Sequence, residues 1–163
     1  VKTRTHINHI KNNIIEIKNK KAEYQYFLLS QLVAGIVLTG TEIKSIREGK
    51  ANLNDAHCTF INNELFVTNM HITEYTFGTY SNHNPKRNRK LLLNKRELRK
   101  FKAQVDEKGL TIIPVMLFIN EKGLAKLTIA MAKGKKLYDK RESLKEKEYQ
   151  RSKKEKSTYD GDL

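Results

Sequence analysis

The run Leu110–Ile119 limits the fold more than any other part of this chain. It is apolar at both alternating positions, and Gly109 and the turn-forming Asn120-Glu121-Lys122-Gly123 bound it. A run of that length between turn signals reads as a central strand with little solvent contact on either face. Pro114 lies inside it and brings no N–H, so a bulge or an unpaired position is expected there. After the turn, Leu124–Ala132 returns with Leu127, Ile129 and Met131 on one side and Lys126 and Thr128 on the other. Such a hairpin needs further strands beside it.

The rest of the chain supplies candidates. Ile14, Ile15 and Ile17 suggest a short first strand. Residues Ala22–Gln31 read as a short helix with Tyr26 and Leu29 inward, and Ala34–Gly40 as a β-rich run between two glycines. Thr41–Arg47 is expected to be a helix stopped by Gly49, with Ile43 and Ile46 on one face and Glu42, Lys44 and Arg47 displayed elsewhere. Strands near Ala56–Ile61 and Glu64–Met70 are joined by Asn62-Asn63, a residue type that tolerates positive φ. Residues 76–88, rich in Gly, Ser, Asn and Pro, form a loop before Leu91-Leu92-Leu93. Asn94 with Glu97 three residues on is a helix-start signature. Leu98, Phe101 and Val105 then make an apolar stripe, closed by Gly109. Short strands at regular spacing with about three flanking helices predict a mainly β fold, a small closed β-barrel, which also leaves no open edge. The expected organisation is a flexible basic arm over residues 1–13, a barrel domain over 14–132 and a basic tail over 133–163. The tail can be helical by propensity but has no apolar face to dock. It is expected to be disordered alone and ordered on a partner.

Charge narrows the function. Among 163 residues, Lys and Arg number 32 against 18 Asp and Glu, a net +14. Residues 86–102 hold nine basic residues and one acid, and residues 133–156 hold eleven and five, so these two stretches carry the whole excess. A single Lys-rich run can be a solvated helix face. Two localised patches favour a polyanionic partner, above all nucleic acid. No stretch is apolar for long enough to span a bilayer, and residues 1–13 have no apolar core of the kind a secretory leader needs. One cysteine, Cys58, permits no intrachain disulfide, so the default expectation is a reducing, cytosolic compartment.

Reactive groups do not converge in the sequence. His6, His9, His57, His71 and His83 lack metal-ligand spacing, and His6 and His9 sit in the basic arm. Cys58 reads as a small core residue rather than a nucleophile. Glu42 and Glu48 could pair, but no other acid clusters near them. Gly134-Lys135-Lys136 lacks the earlier glycine of a phosphate loop. The expectation is a binding protein with no catalytic residue, metal or cofactor. Arg87-Asn88-Arg89-Lys90 offers guanidinium groups that bind phosphates and stack on bases.

Four blocks carry a resemblance: Ala34 to Arg47, Gly49 to Leu53, Pro85 to Leu93 and Ala132 to Arg141. In this order they resemble signatures of the SsrA-binding protein family, also called small protein B (SmpB). The similarity covers about residues 14–150. The resemblance implies an OB-type barrel that is not an enzyme. It implies binding to the tRNA-like domain of transfer-messenger RNA, and delivery of that RNA to stalled bacterial ribosomes for trans-translation in the cytoplasm. The body plus RNA then mimics a tRNA, and the tail enters the decoding centre and empty mRNA channel. Alanyl-tRNA synthetase and elongation factor Tu are implied associates.

Carried over residue by residue, the implied RNA-binding set begins with Gly35, Glu42, Lys44, Ser45, Arg47 and Asn52. The basic loop and its strand add Arg87, Arg89, Lys90 and Leu92. The returning strand adds Lys126, Lys133, Lys135 and Lys136. Asp139, Lys140, Arg141, Lys145, Lys147 and Arg151 form the implied ribosome-contacting tail. Val33 stands where the family usually has an acid. A generic basic ribosomal or RNA-binding structural protein is the competing reading, since it would share the charge, size and barrel.

Overall fold

The computed structural model describes residues 14–159, with side chains through residue 155. The arm expected over residues 1–13, with His6 and His9, lies outside the described residues. The elements in chain order are β1 (Glu16–Lys18), α1 (Ala22–Gln25), β2 (Tyr26–Ile36), α2 (Gly40–Arg47), β3 (Ala51–Asn52), β4 (His57–Ile61) and β5 (Glu64–Thr68). There follow β6 (His71–Ile72), β7 (Arg89–Leu92), α3 (Lys95–Lys108), β8 (Thr111–Ile119), β9 (Ala125–Gly134) and α4 (Leu137–Tyr159).

The molecule is mainly β with several helices. The main sheet runs β1-β8-β4-β5-β7-β2-β9, all antiparallel where paired, and β8 pairs with β9 as well. The expected central hairpin is therefore its organising unit, with β8 bonded to β1, β4 and β9. Pro114 does interrupt the ladder: the β8–β9 register shifts between Pro114 and Met116. Leu127, Ile129 and Met131 point into the main core, as the alternation requires. The opposite side of this ribbon is covered as well, because Ile113 and Ala132 pack with Ala22 in a second, smaller cluster. Asn62 and Asn63 turn the β4–β5 hairpin with φ of 50° and 64°, both left-handed.

One expectation needs correction. The helix expected over Ala22–Gln31 stops at Gln25, and an eleven-residue strand begins at Tyr26. Burial alternates along Tyr26–Val33, and eight residues of β2 pair with β9. A long ladder satisfies more backbone groups than a short helix would, so tertiary pairing overrides local propensity. In the tail, residues Leu137–Tyr159 form a continuous helix, as their propensity allows. Lys135 Nζ fastens its first turns by donating to Glu23 O at 2.8 Å and to Ser143 Oγ at 2.7 Å.

Helix α3 follows its sequence signals. Asn94 Oδ1 accepts from the Glu97 N–H at 2.9 Å, and Glu97 Oε2 accepts from the Asn94 N–H at 3.1 Å. Gly109 ends it at φ 61°, where a side chain would be strained. Phe101 is buried against the main core, and Leu98 and Val105 pack beside it.

Candidate nucleic-acid interface

The register of β2 brings three separated candidates together. Gly35 lies opposite Leu92 on β7 and opposite Lys126 on β9. A Cβ on Gly35 would stand 3.2 Å from Leu92 Cβ, so the missing side chain is what lets Leu92 lie flat across the strand. Leu92 itself is exposed, as is Leu124 before β9. These residues, with Leu38, Thr39 and Ile43, line a shallow groove of about 340 Å³. An apolar floor with an ammonium at its edge suits a nucleotide: the base or sugar covers the leucines and Lys126 meets the phosphate. Leu124, Thr39 and Ile43 were not legible as site residues, since only the fold carries them to Leu92.

Beneath this surface lies a charge knot. Glu42 and Arg89 are fully buried and paired through Oε2 and Nε. Arg89 Nη1 donates to Met70 O at 2.7 Å and Nη2 to Pro85 O at 3.1 Å, so its donors are spent inside the protein. Arg87 reaches the same carboxylate, Nη2 to Oε1 at 2.5 Å, from a position 36% exposed. Burial alone raises the Glu42 carboxyl. Hydrogen bonds from Arg87, the Thr39 N–H and Arg89 outweigh it and hold the group below the usual carboxylate range. His83 closes the knot. Its Nε2 donates to Ile72 O at 2.9 Å, and its Nδ1 lies 2.9 Å from the Thr41 hydroxyl.

Glu42, expected on a displayed face of α2, is therefore a correction. Ser45, on the same helix, and Arg89 are buried too. All three are internal, and Glu42 and Arg89 brace the loop and strand that carry Arg87, Lys90 and Leu92. An acid at this position earns burial only through a partner 47 residues away, which no local pattern shows.

The other candidates are spread. Lys44 and Arg47 are exposed on α2, and Asn52 is exposed on β3 with its Oδ1 accepting from the Asn54 N–H at 2.8 Å. Lys90 pairs with Glu64 at 2.8 Å. Lys133 and Lys136 are exposed near the end of β9, while Lys135 is held by α1 and α4 and lies 4.9 Å over the Phe27 ring. Lys126 lies near the start of β9 and Lys135 just past its end, nine residues on, which is roughly 30 Å of extended chain. In α4, Asp139 Oδ2 accepts from the Lys136 N–H at 3.2 Å, and Arg141, Lys145, Lys147 and Arg151 are exposed, with Lys140 partly so. The expected residues thus divide into a groove at one end of the β2–β9 ribbon and a basic helix leaving the other.

Cys58 sits in the core between β5 and β8, and burial pushes its thiol well up. Among the described residues, no group of three or more His, Cys, Asp or Glu is placed to hold a metal ion, and no helix is long and apolar enough to cross a membrane.

Comparisons with known proteins give this geometry a family. The family model described as SmpB protein matches residues 16–159. An SsrA-binding protein of Phocaeicola vulgatus is 63% identical over 137 residues, covering 84% of this chain and 91% of the relative. That of Christiangramia forsetii is 60% identical over 139 residues, covering 85% and 88%. A solved structure described as "tmRNA-SmpB: a journey to the center of the bacterial ribosome" superposes with a TM-score of 0.66 at 40% identity, over 80% of this chain and 94% of its own. The match runs through the groove, the charge knot and the basic helix alike, and this chain belongs to the SmpB protein family.

Proposed function

We propose that this chain binds the tRNA-like domain of transfer-messenger RNA and delivers it to stalled bacterial ribosomes for trans-translation. The observation that carries the proposal is the register that sets Gly35 against both Leu92 and Lys126, forming an apolar, cation-edged groove from three strands. Its relatives are SsrA-binding proteins, which supports the same RNA.

The pairings β8-β4-β5-β7-β2-β9, with β9 returning to β8, support reading the sheet as a closed OB-type barrel. On that barrel the groove takes the folded RNA through its backbone, 2′-hydroxyls and unpaired bases. Arg87, Lys90, Lys44 and Arg47 add phosphate contacts around it. Lys133 and Lys136 extend the basic surface towards α4. The helix, with Arg141, Lys145, Lys147 and Arg151 exposed, is the segment that probes the decoding centre and the empty mRNA channel. Body plus RNA together present the outline of a tRNA. The protein acts by binding and mimicry in the bacterial cytoplasm, with alanyl-tRNA synthetase and elongation factor Tu acting on the same complex.

The test is a gel-shift titration with the tRNA-like domain against ordinary tRNA at two salt concentrations. Tight binding that survives excess tRNA, with a modest salt slope, is the expected result. Equal binding to both, collapsing steeply with salt, is counterion release only and returns the chain to a generic basic ribosomal role.

A further inference from the structure

The loop joining β6 to β7 displays aromatic rings where water meets them. Phe77 is 78% exposed and Tyr80 is 103% exposed. Single exposed aromatics need no explanation. These two belong to a loop that is braced to hold its shape. Tyr75 packs edge-on to Phe77, centroids 5.7 Å apart and planes at 67°. Asn82 ties the loop across its neck, its Nδ2 donating to Tyr75 O at 2.9 Å and its Oδ1 accepting from the Tyr75 N–H at 3.2 Å. A Cβ on Gly78 would come 2.7 Å from that amide nitrogen, so any other residue there would push Asn82 aside. His83 fixes the loop's return to Thr41 on α2.

The loop also adjoins both positive charge and the groove. Lys44 Nζ lies 5.4 Å over the Tyr75 ring. The neighbouring residue on α2, Ile43, lines the groove. One eight-residue helix therefore separates the two surfaces. Solvated aromatic faces on a braced loop beside a cation suit an unpaired nucleotide, whose base stacks while its phosphate meets the charge.

We propose that the loop carrying Tyr75, Phe77 and Tyr80 is a second RNA contact, on which Phe77 and Tyr80 stack unpaired bases of the RNA held in the groove. It rests on the RNA partner proposed above and extends it to a surface outside the family blocks that carry the resemblance. Stacking is committed to RNA because the flanking charge is cationic and the chain carries a net +14.

The test titrates the tRNA-like domain into the full chain and into Phe77→Ala, Tyr80→Ala and the double variant. Each ring is expected to be worth on the order of tenfold in affinity. The slope of log K against log salt stays unchanged, because no phosphate contact is removed. Tyr80→Phe and Phe77→Tyr keep a ring and bind as the parent does, and thermal unfolding of all variants is unaltered, as both side chains are solvated. A double variant that binds like the parent overturns the proposal. So does a Tyr80→Phe loss as large as that of Tyr80→Ala, or a shallower salt slope. Normal RNA affinity with impaired tagging on stalled ribosomes also overturns it, in favour of a ribosomal partner for the loop. A parent chain that does not prefer the domain over tRNA defeats the proposed function itself and this contact with it.

Discussion

At the scale of single residues, Glu42 decides how the basic loop stands. Its carboxylate satisfies Arg89 in the interior and Arg87 at the surface. Removing it strands the Arg89 guanidinium without water or counter-charge, so Glu42→Ala is expected to cost about 3–5 kcal/mol of folding stability. In Glu42→Leu/Arg89→Met both charges leave together, and the loss should fall short of the sum of the single losses by at least ~1 kcal/mol. Urea titration of the parent, Glu42→Leu, Arg89→Met and the double variant checks this, and strict additivity would remove the pair from its place as the loop's anchor. Acid should expose the same bond. The native carboxyl titrates below its ordinary value, so ionised Glu42 adds stability that is complete above the unfolded pKa of about 4.3 and disappears as pH falls through the native one. The gap in urea midpoint between parent and Glu42→Ala should therefore narrow as pH drops from 7 towards 3. Gly35 gives a residue-scale test of the groove. Gly35→Val pushes Leu92 off the strand, whereas in Gly35→Ala the 3.2 Å approach to Leu92 Cβ asks for only a small shift. RNA affinity should fall far more for the valine variant, and equal affinities would mean that Leu92 need not lie flat.

At the scale of elements, what the sequence made legible follows from how local each signal was. Helix α3 could be read whole because its determinants lie within it or at its ends: Asn94 and Glu97 at the start, an apolar stripe through Phe101, and Gly109 at the stop. Those signals also set its energetics. Asn94→Ala removes the acceptor for the Glu97 N–H and is expected to cost about 1 kcal/mol, read as a lower urea midpoint with an unchanged slope. No change would mean that packing of Phe101 alone holds the helix start. The β8–β9 hairpin was legible for a similar reason, since Pro114 and the Asn120–Gly123 turn mark its irregular points. Strand β2 was not. Its Tyr26-Phe27-Leu28-Leu29 run is apolar at every position and fits either period, and only β9, a hundred residues on, selects the extended form. The groove was half legible: Gly35, Leu92 and Lys126 came from family signatures, but their meeting depends on that same ladder. Helix α4 was legible as basic and helix-prone, yet its anchoring through Lys135 to Glu23 and Ser143 joins residues no pattern connects.

At the scale of the whole molecule, the separation of charge becomes a division of labour. Groove and aromatic loop gather around α2, while α4 departs from the far end of β9. The anchor that holds α4 uses residues before and within its first turns, so the β-sheet body owes little to the exposed remainder. Deleting residues 139–163 should then leave affinity for the tRNA-like domain within about twofold and abolish tagging on stalled ribosomes. The salt dependence makes the prediction sharper than affinity alone. Each phosphate contact contributes about 0.7–0.9 to the slope of log K against log salt. If the tail helix took part in binding the RNA, losing Arg141, Lys145, Lys147 and Arg151 would lower the slope by about three. An unchanged slope with lost tagging keeps the RNA on the β-sheet body and gives the helix to the ribosome. A slope lowered by several units, with affinity falling alongside, places the tail on the RNA and dissolves the division. The measurement separates the two cases because it counts phosphate contacts directly and does not depend on how tightly either form binds.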